Sequence, residues 1–147
     1  RLRLAQQYFF VSCSLQDMIH LHLAKGEPIG SFADRFAIQL NDTHPAIAVP
    51  ELIRLLCDEY NFTWEQAWKM AREIFAYTNH TLLPEALETW PVPLMERMLP
   101  RHMQIIYRIN AAILQEARQK GGVSDDQVRA ISLIDEGGER HAVAQPE

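Results

Sequence analysis

Apolar positions repeat at helical spacing along most of the chain. Leu4, Tyr8, Val11, Leu15, Met18 and His22 are spaced 4, 3, 4, 3, 4, which is one face of a helix running to about Lys25. Phe9, Phe10 and Cys13 add a second apolar face, and that predicts burial on more than one side. Gly26 and Pro28 end the helix. From Arg35 to Leu40 the pattern changes to alternation, with Phe36, Ile38 and Leu40 apolar, and predicts a strand. Asn41-Asp42-Thr43-His44-Pro45 follows as a polar turn into a helix. Val49, Leu52, Ile53, Leu56 and Tyr60 mark that helix. Pro50 belongs in its first turn, because a mid-helix proline costs about 3 kcal/mol. Thr63 to Gln66 has the capping-box pattern. Trp64, Ala67, Trp68, Ala71, Ile74 and Phe75 then share one face, with both tryptophans read as core rather than as a sugar-stacking platform.

Tyr77-Thr78-Asn79-His80-Thr81 breaks the period and reads as a loop. Pro84 to Glu88 opens a short helical turn, which Pro91 and Pro93 close. Pro100 starts a long helix with Met103, Ile106, Ile109 and Ile113 on one face, and Gly121-Gly122 stops it. Ser124 to Gln127 is a second capping box. Residues 131–134 and 140–144 flank Asp135-Glu136-Gly137-Gly138 and read as a weak hairpin. The expected class is α/β, strongly α-rich, with about five helices. A single good strand needs neighbours for its backbone groups, and these are expected outside the chain. The chain divides into 1–34 (helix and linker), 35–120 (strand, polar loops and helices) and 121–147 (helix and weak hairpin).

Composition narrows the function classes. The 147 residues carry 14 basic and 19 acidic side chains, a net charge of −5, with no basic block. Nucleic acid and anionic membranes therefore have no electrostatic footprint here. No apolar run approaches the roughly 18 residues of a membrane span. Cys13 and Cys57 give neither a disulfide framework nor zinc spacing, and read as buried free thiols of a reducing, cytoplasmic compartment. None of the six histidines sits in an H-E-x-x-H motif, and no metal site is expected. Nucleophile elbow, P-loop and G-x-G-x-x-G patterns are lacking. Arg1 opens mid-pattern and Ala144 to Glu147 closes no element, so the chain reads as a piece of a longer one.

Three polar clusters carry candidate chemistry. Asn41 to Pro45 is either a helix cap or a ligand loop at the carboxyl end of a strand, where α/β sheets bind ligands. In the second case Asp42 and His44 offer an acceptor and a neutral donor/acceptor pair for sugar hydroxyls. Thr78-Asn79-His80-Thr81 either satisfies turn backbone or faces a polyhydroxylated ligand. Glu85 and Glu88 share a face, either as charges complementing a helix N-terminus or as a carboxylate pair for acid–base work.

These same loops resemble the α-glucan (glycogen/maltodextrin) phosphorylases. The resemblance is carried by residues 38–45 (Ile-Gln-Leu-Asn-Asp-Thr-His-Pro) with Pro50-Glu51-Leu52, and by residues 75–81 (Phe-Ala-Tyr-Thr-Asn-His-Thr) with residues 84–88 and Trp90-Pro91. Residues 99–107 with Ile109-Asn110, and the first helix around Gln6-Gln7-Tyr8-Phe9, extend it over roughly residues 1–135. It implies a segment of the N-terminal Rossmann-like lobe of a GT-B-type two-lobed glycosyltransferase. The implied reaction is reversible phosphorolysis of α-1,4-glucan ends to glucose 1-phosphate. The implied cofactor is pyridoxal phosphate, on a lysine outside this chain, in a parent enzyme that is a homodimer.

By motif, the resemblance gives His80 the catalytic position. It would contact the glucosyl 6-hydroxyl, and its backbone would lie near the anomeric carbon. Asp42, His44 and Asn79 would line the sugar channel, with Glu85 and Glu88 as carboxylates near it. His20 and Leu21 stand where regulated animal members hold a nucleotide activator's phosphate, which implies a bacterial-type enzyme. Ala111 and Ala112 replace polar residues of the animal glycogen-storage surface, and residues 140–144 depart from the family's continuation. The segment alone is expected to be inactive and poorly stable. Two other readings stand beside this one: a helical scaffold without chemistry, and part of another glycosyltransferase.

Overall fold

The computed structural model describes residues 1–83, 85, 87–122, 124–135 and, by backbone, 141–143. Two compact units divide the chain, Arg1–Leu83 and Pro84–Glu147.

In the first unit, α1 (Leu2–Ala24) buries Leu4, Val11, Ser12, Leu15, Ile19 and His22. The stripe follows the predicted one at Leu4, Val11, Leu15 and His22, but Tyr8 and Met18 are only half-buried and Ser12 and Ile19 are buried instead. The second apolar face is exposed rather than buried. Phe9 and Phe10 are 70% and 73% exposed, and Cys13 is exposed rather than buried. A 3-10 turn (Ile29–Ser31) leads into the short α2 (Phe32–Arg35). Phe32 packs edge-on to His22, whose buried Nε2–H donates to the Pro28 carbonyl at 2.9 Å. That helical turn occupies Arg35, so β1 starts later than the alternation suggests, at Ile38–Asn41.

After β1 the chain turns through residues 42–47 into α3 (Ala48–Arg54), with Pro50 in its first turn. The helix continues as one π turn, Leu55–Glu59, and the chain reverses at Asn61 with φ 57°. Apolar spacing cannot register a one-residue widening of this kind. α4 (Trp64–Ile74) opens on the expected capping box of Thr63 and Gln66. It buries Ala67, Met70, Ala71 and Ile74. Trp64 and Trp68 are only half-buried and stack on each other at 6.1 Å, which corrects their reading as core.

Phe75–Thr78 is a strand, β2, so Phe75, read on the helix face, and Tyr77 and Thr78, read as loop, belong to it, while Asn79 to Thr81 form the loop expected. β2 pairs with β1 in parallel, Ile38 opposite Phe75 and Asn41 opposite Thr78. The neighbour that β1 needs is thus within the chain, supplied by a crossover through α3 and α4, as parallel pairing requires. The expectation that its partners lie elsewhere is corrected to that extent. Leu40 of β1, Leu52, Ile53 and Leu56 around α3, and Ile74 of α4 are all buried, and α3 packs on both α1 and α4.

A buried polar tie joins α1 to α3. Glu51 is fully buried and receives Nε and Nη2 of Arg54 at 2.8 and 2.9 Å. The Ser12 hydroxyl donates to Glu51 Oε1 at 2.6 Å, and Gln16 donates to that hydroxyl. Hydrogen bonding to Glu51 holds the Arg54 guanidinium charged beyond its ordinary range, against the opposing effect of burial.

The second unit contains β3 (Thr89–Pro91), α5 (Val92–Met98), α6 (Pro100–Gln119), α7 (Asp125–Ala130), β4 (Ile134–Asp135) and β5 (His141–Val143). Pro91 and Pro93 do not close a turn; they open α5, where a proline near the first position forgoes no intrahelical bond. The weak hairpin exists in shortened form. β4 pairs antiparallel with β5, and β3 adds a third strand on the other side of β5. Val92, Met95, Met103, Ile105, Ile109, Val128 and Ile134 form this unit's core. Asn110 Oδ1 accepts the Leu133 N–H at 2.8 Å, fixing the segment after α7 against α6. The helical turn expected over Pro84 to Glu88 includes Pro84 and Ala86, which lie outside the described residues. So do residues 136–140 and 144, within the expected hairpin. No helix among the described residues is long and apolar enough to cross a membrane.

Candidate functional site

Parallel pairing of β1 and β2 brings two loops out at the same end, the carboxyl end of both strands. This is where open α/β sheets bind ligands. The ladder runs one bond further, from Asp42 N–H to the Thr78 carbonyl at 2.8 Å. Asp42 then adopts φ 62°, in the left-handed region that Asp and Asn tolerate best among non-glycine residues. Thr43 is buried, between half-buried Asp42 and exposed His44. The loop therefore turns its middle residue inward and offers the flanking side chains outward.

The helix-cap reading of Asn41 to Pro45 fails, because α3 begins at Ala48 with Ile47 at its N-cap and no side-chain cap. Asp42 instead serves the neighbouring loop: its Oδ1 accepts the His80 backbone N–H at 2.9 Å. The His80 ring is held as well, Nε2–H donating to Asn41 Oδ1 at 3.2 Å. Two adjacent residues at the end of β1 thus grip His80 at its backbone and its ring. In a neutral ring this bond selects the tautomer with the proton on Nε2 and leaves Nδ1 as an acceptor. Burial, and then the Asp42 carboxylate's charge, push the Tyr77 phenol above its ordinary range. Gln39 donates to Thr78 Oγ1 at 2.9 Å, tying the strands together by side chains beside the loops.

Of the sequence-predicted residues, Asp42 and His80 are therefore in direct contact. His44 is exposed and receives Nη2 of Arg3 at 3.1 Å. Asn79 is exposed and turns back on its own loop, Oδ1 accepting the Thr81 N–H at 3.1 Å, so the turn-satisfying reading holds for it. Glu85 and Glu88 belong to the second unit, Glu85 exposed and Glu88 half-buried. Two residues of the site, Asn41 and Arg3, escape sequence reasoning. Asn41 lies inside the motif but reads as a turn residue, and Arg3 gives no sequence signal. Among the described residues no group of three His, Cys, Asp or Glu side chains is placed to hold a metal ion.

The two strand-end loops make a surface of hydroxyl-sized donors and acceptors. The sequence profile of the family described as carbohydrate phosphorylase matches residues 1–144. The chain belongs to the carbohydrate phosphorylase family. It is 55% identical to a glycogen phosphorylase of Synechocystis and 51% identical to that of Haemophilus influenzae. It is 47% identical to the liver form of glycogen phosphorylase of Homo sapiens. Each match covers 95% of this chain but only 16% or 17% of the relative's length. Family membership favours the phosphorylase reading over a bare scaffold or another glycosyltransferase. The carbohydrate phosphorylase segment has three lysines, Lys25, Lys69 and Lys120, all exposed. None is enclosed as an imine-forming lysine would be.

Proposed function

We propose that the chain is a segment of an α-1,4-glucan phosphorylase and forms part of the wall of its glucosyl site. The whole enzyme would use phosphate to release glucose 1-phosphate from glucan ends. The segment would belong to a Rossmann-like lobe of a two-lobed GT-B-type fold, in a homodimeric, cytoplasmic parent. Pyridoxal phosphate would be held by a lysine outside the chain.

The observation that carries this reading is the grip of Asn41 and Asp42 on His80 at the carboxyl end of a parallel strand pair. With Nε2–H committed to Asn41, Nδ1 is an acceptor for a sugar hydroxyl. With the backbone N–H committed to Asp42, the carbonyl is the backbone group left for the ligand. A carbonyl oxygen favours positive charge developing at an anomeric carbon, and its fixed position costs no reorganisation during reaction. Asp42, already spent on His80 through Oδ1, acts as a positioning carboxylate. His44 and Asn79 would border the channel, and Glu85 and Glu88 would be its outlying carboxylates.

Crystals of the full-length enzyme soaked with glucose test this placement. A sugar hydroxyl within about 3 Å of His80 Nδ1 is expected. Glucose bound in the enzyme with no atom near His80 or Asp42 would overturn it.

Regulation follows from two exposed residues of α1. His20 and Leu21 occupy the turn where a phosphate clamp would need cations. Leucine offers no donor, and histidine is mostly neutral at pH 7. Adenosine monophosphate is therefore expected to leave the rate of the full-length enzyme unchanged. A several-fold activation by the nucleotide in a phosphorolysis assay would contradict this.

A further inference from the structure

We propose that Arg3 is a positioning residue that sets the tautomer of His44, so that His44 offers its Nδ1–H to the bound sugar. The inference deepens the glucosyl-site reading and rests on it. Arg3 lies in the first turn of α1, and His44 in the loop after β1. Arg3 Nη2 stands 3.1 Å from His44 Nε2. A guanidinium has five N–H donors and no acceptor. The bond therefore forms only when Nε2 is bare, and the ring proton then sits on Nδ1.

The partner of the second histidine imposes the opposite arrangement. His80 donates through Nε2 to Asn41 Oδ1 and keeps Nδ1 bare. One loop thus carries a ring that donates through Nδ1, and the other carries a ring that accepts through it. A sugar hydroxyl is both donor and acceptor, so a polyhydroxylated ligand can satisfy both rings without either changing its proton. His44 with the opposite tautomer would lose the Arg3 bond and turn an acceptor toward the sugar. Arg3 itself needs no contact with the ligand; it acts through His44, across the packing of α1 on the sheet-forming segment.

The test uses the full-length enzyme. Its histidines are labelled with 15N, and His44 is assigned by the loss of its signals in His44→Asn. A protonated Nδ1 and a bare Nε2 are expected in the unsubstituted protein, with the Nε2–H form appearing in Arg3→Met. A His44 with Nε2 protonated in the unsubstituted protein would overturn the proposal, whatever the enzyme's activity. Kinetics give the second arm. Arg3→Met should raise KM for maltodextrin roughly tenfold, with kcat much less affected. Combined with His44→Ala, it should add nothing to the effect of His44→Ala alone. His44→Asn, whose amide reaches about as far as Nδ1, should restore more affinity than His44→Gln. Effects of Arg3 and His44 that multiply would mean that Arg3 acts independently, against the proposal. An unsubstituted enzyme that releases no glucose 1-phosphate would refute the glucosyl-site reading, while the nitrogen signals still decide the tautomer.

Discussion

Glu51→Ala should loosen the α1–α3 packing by about 3 kcal/mol, near the lower end of the range for removing one partner of a buried ion pair. Glu51 is fully buried and accepts from both Arg54 and Ser12. Truncation leaves a guanidinium and a hydroxyl without their acceptor in a packed interface. The cost stays near the lower end because the Arg54 side chain is 19% exposed and keeps Glu59 at 3.1 Å. Glu51→Gln preserves shape and one acceptor oxygen and should cost less. Hydrogen exchange of the full-length enzyme measures this locally: amides in α1 and α3 should exchange roughly a hundredfold faster in Glu51→Ala, the equivalent of about 3 kcal/mol. Exchange in those helices within about twofold of the parent would show that the tie contributes little.

His80→Ala should lower kcat/KM for phosphorolysis by about tenfold to a hundredfold, the worth of a sugar hydrogen bond of roughly 1–3 kcal/mol that strengthens in the transition state. The backbone of residue 80 stays held by Asp42, because the N–H remains. The loss should therefore fall on the ring's contact, with the fold intact. His80 is exposed, so removing its ring opens no cavity in the core. Turnover equal to the parent at saturating phosphate would remove His80 from the site.

Much of the fold is legible from spacing. The α1 stripe, the capping boxes at Thr63 and Ser124, the long α6 and its Gly121-Gly122 stop all obey local rules, and the structure obeys them too. The elements that spacing misses share a cause. β2 starts at the residue after α4 ends, so Phe75 serves the helical pattern and the strand equally, and four residues are too few to establish a new period. Pro91 and Pro93 read as stops because proline ends one helix as readily as it starts another; the residues C-terminal to it decide between the two.

Site residues divide in the same way. Asp42 and His80 are conspicuous as polar residues at loop positions, but their contact depends on β1 and β2 pairing in register across the α3–α4 crossover. Arg3 meets His44 through tertiary packing alone, and no pattern within α1 marks it. Glu51 stands in the first turn of α3, where an acidic side chain suits the helix dipole, and nothing in the apolar spacing marks its place in the core. Phe9 and Phe10 pose the converse case: their pattern predicts burial, and both are exposed.

The most direct measurement is glucose 1-phosphate release by the full-length enzyme from maltodextrin and orthophosphate, with and without pyridoxal phosphate. The account predicts phosphate-dependent release that requires the cofactor, falls in His80→Ala, and is absent when the 147-residue chain is assayed alone. A full-length enzyme that loads pyridoxal phosphate yet forms no glucose 1-phosphate, or a 147-residue chain that forms it unaided, would contradict the account.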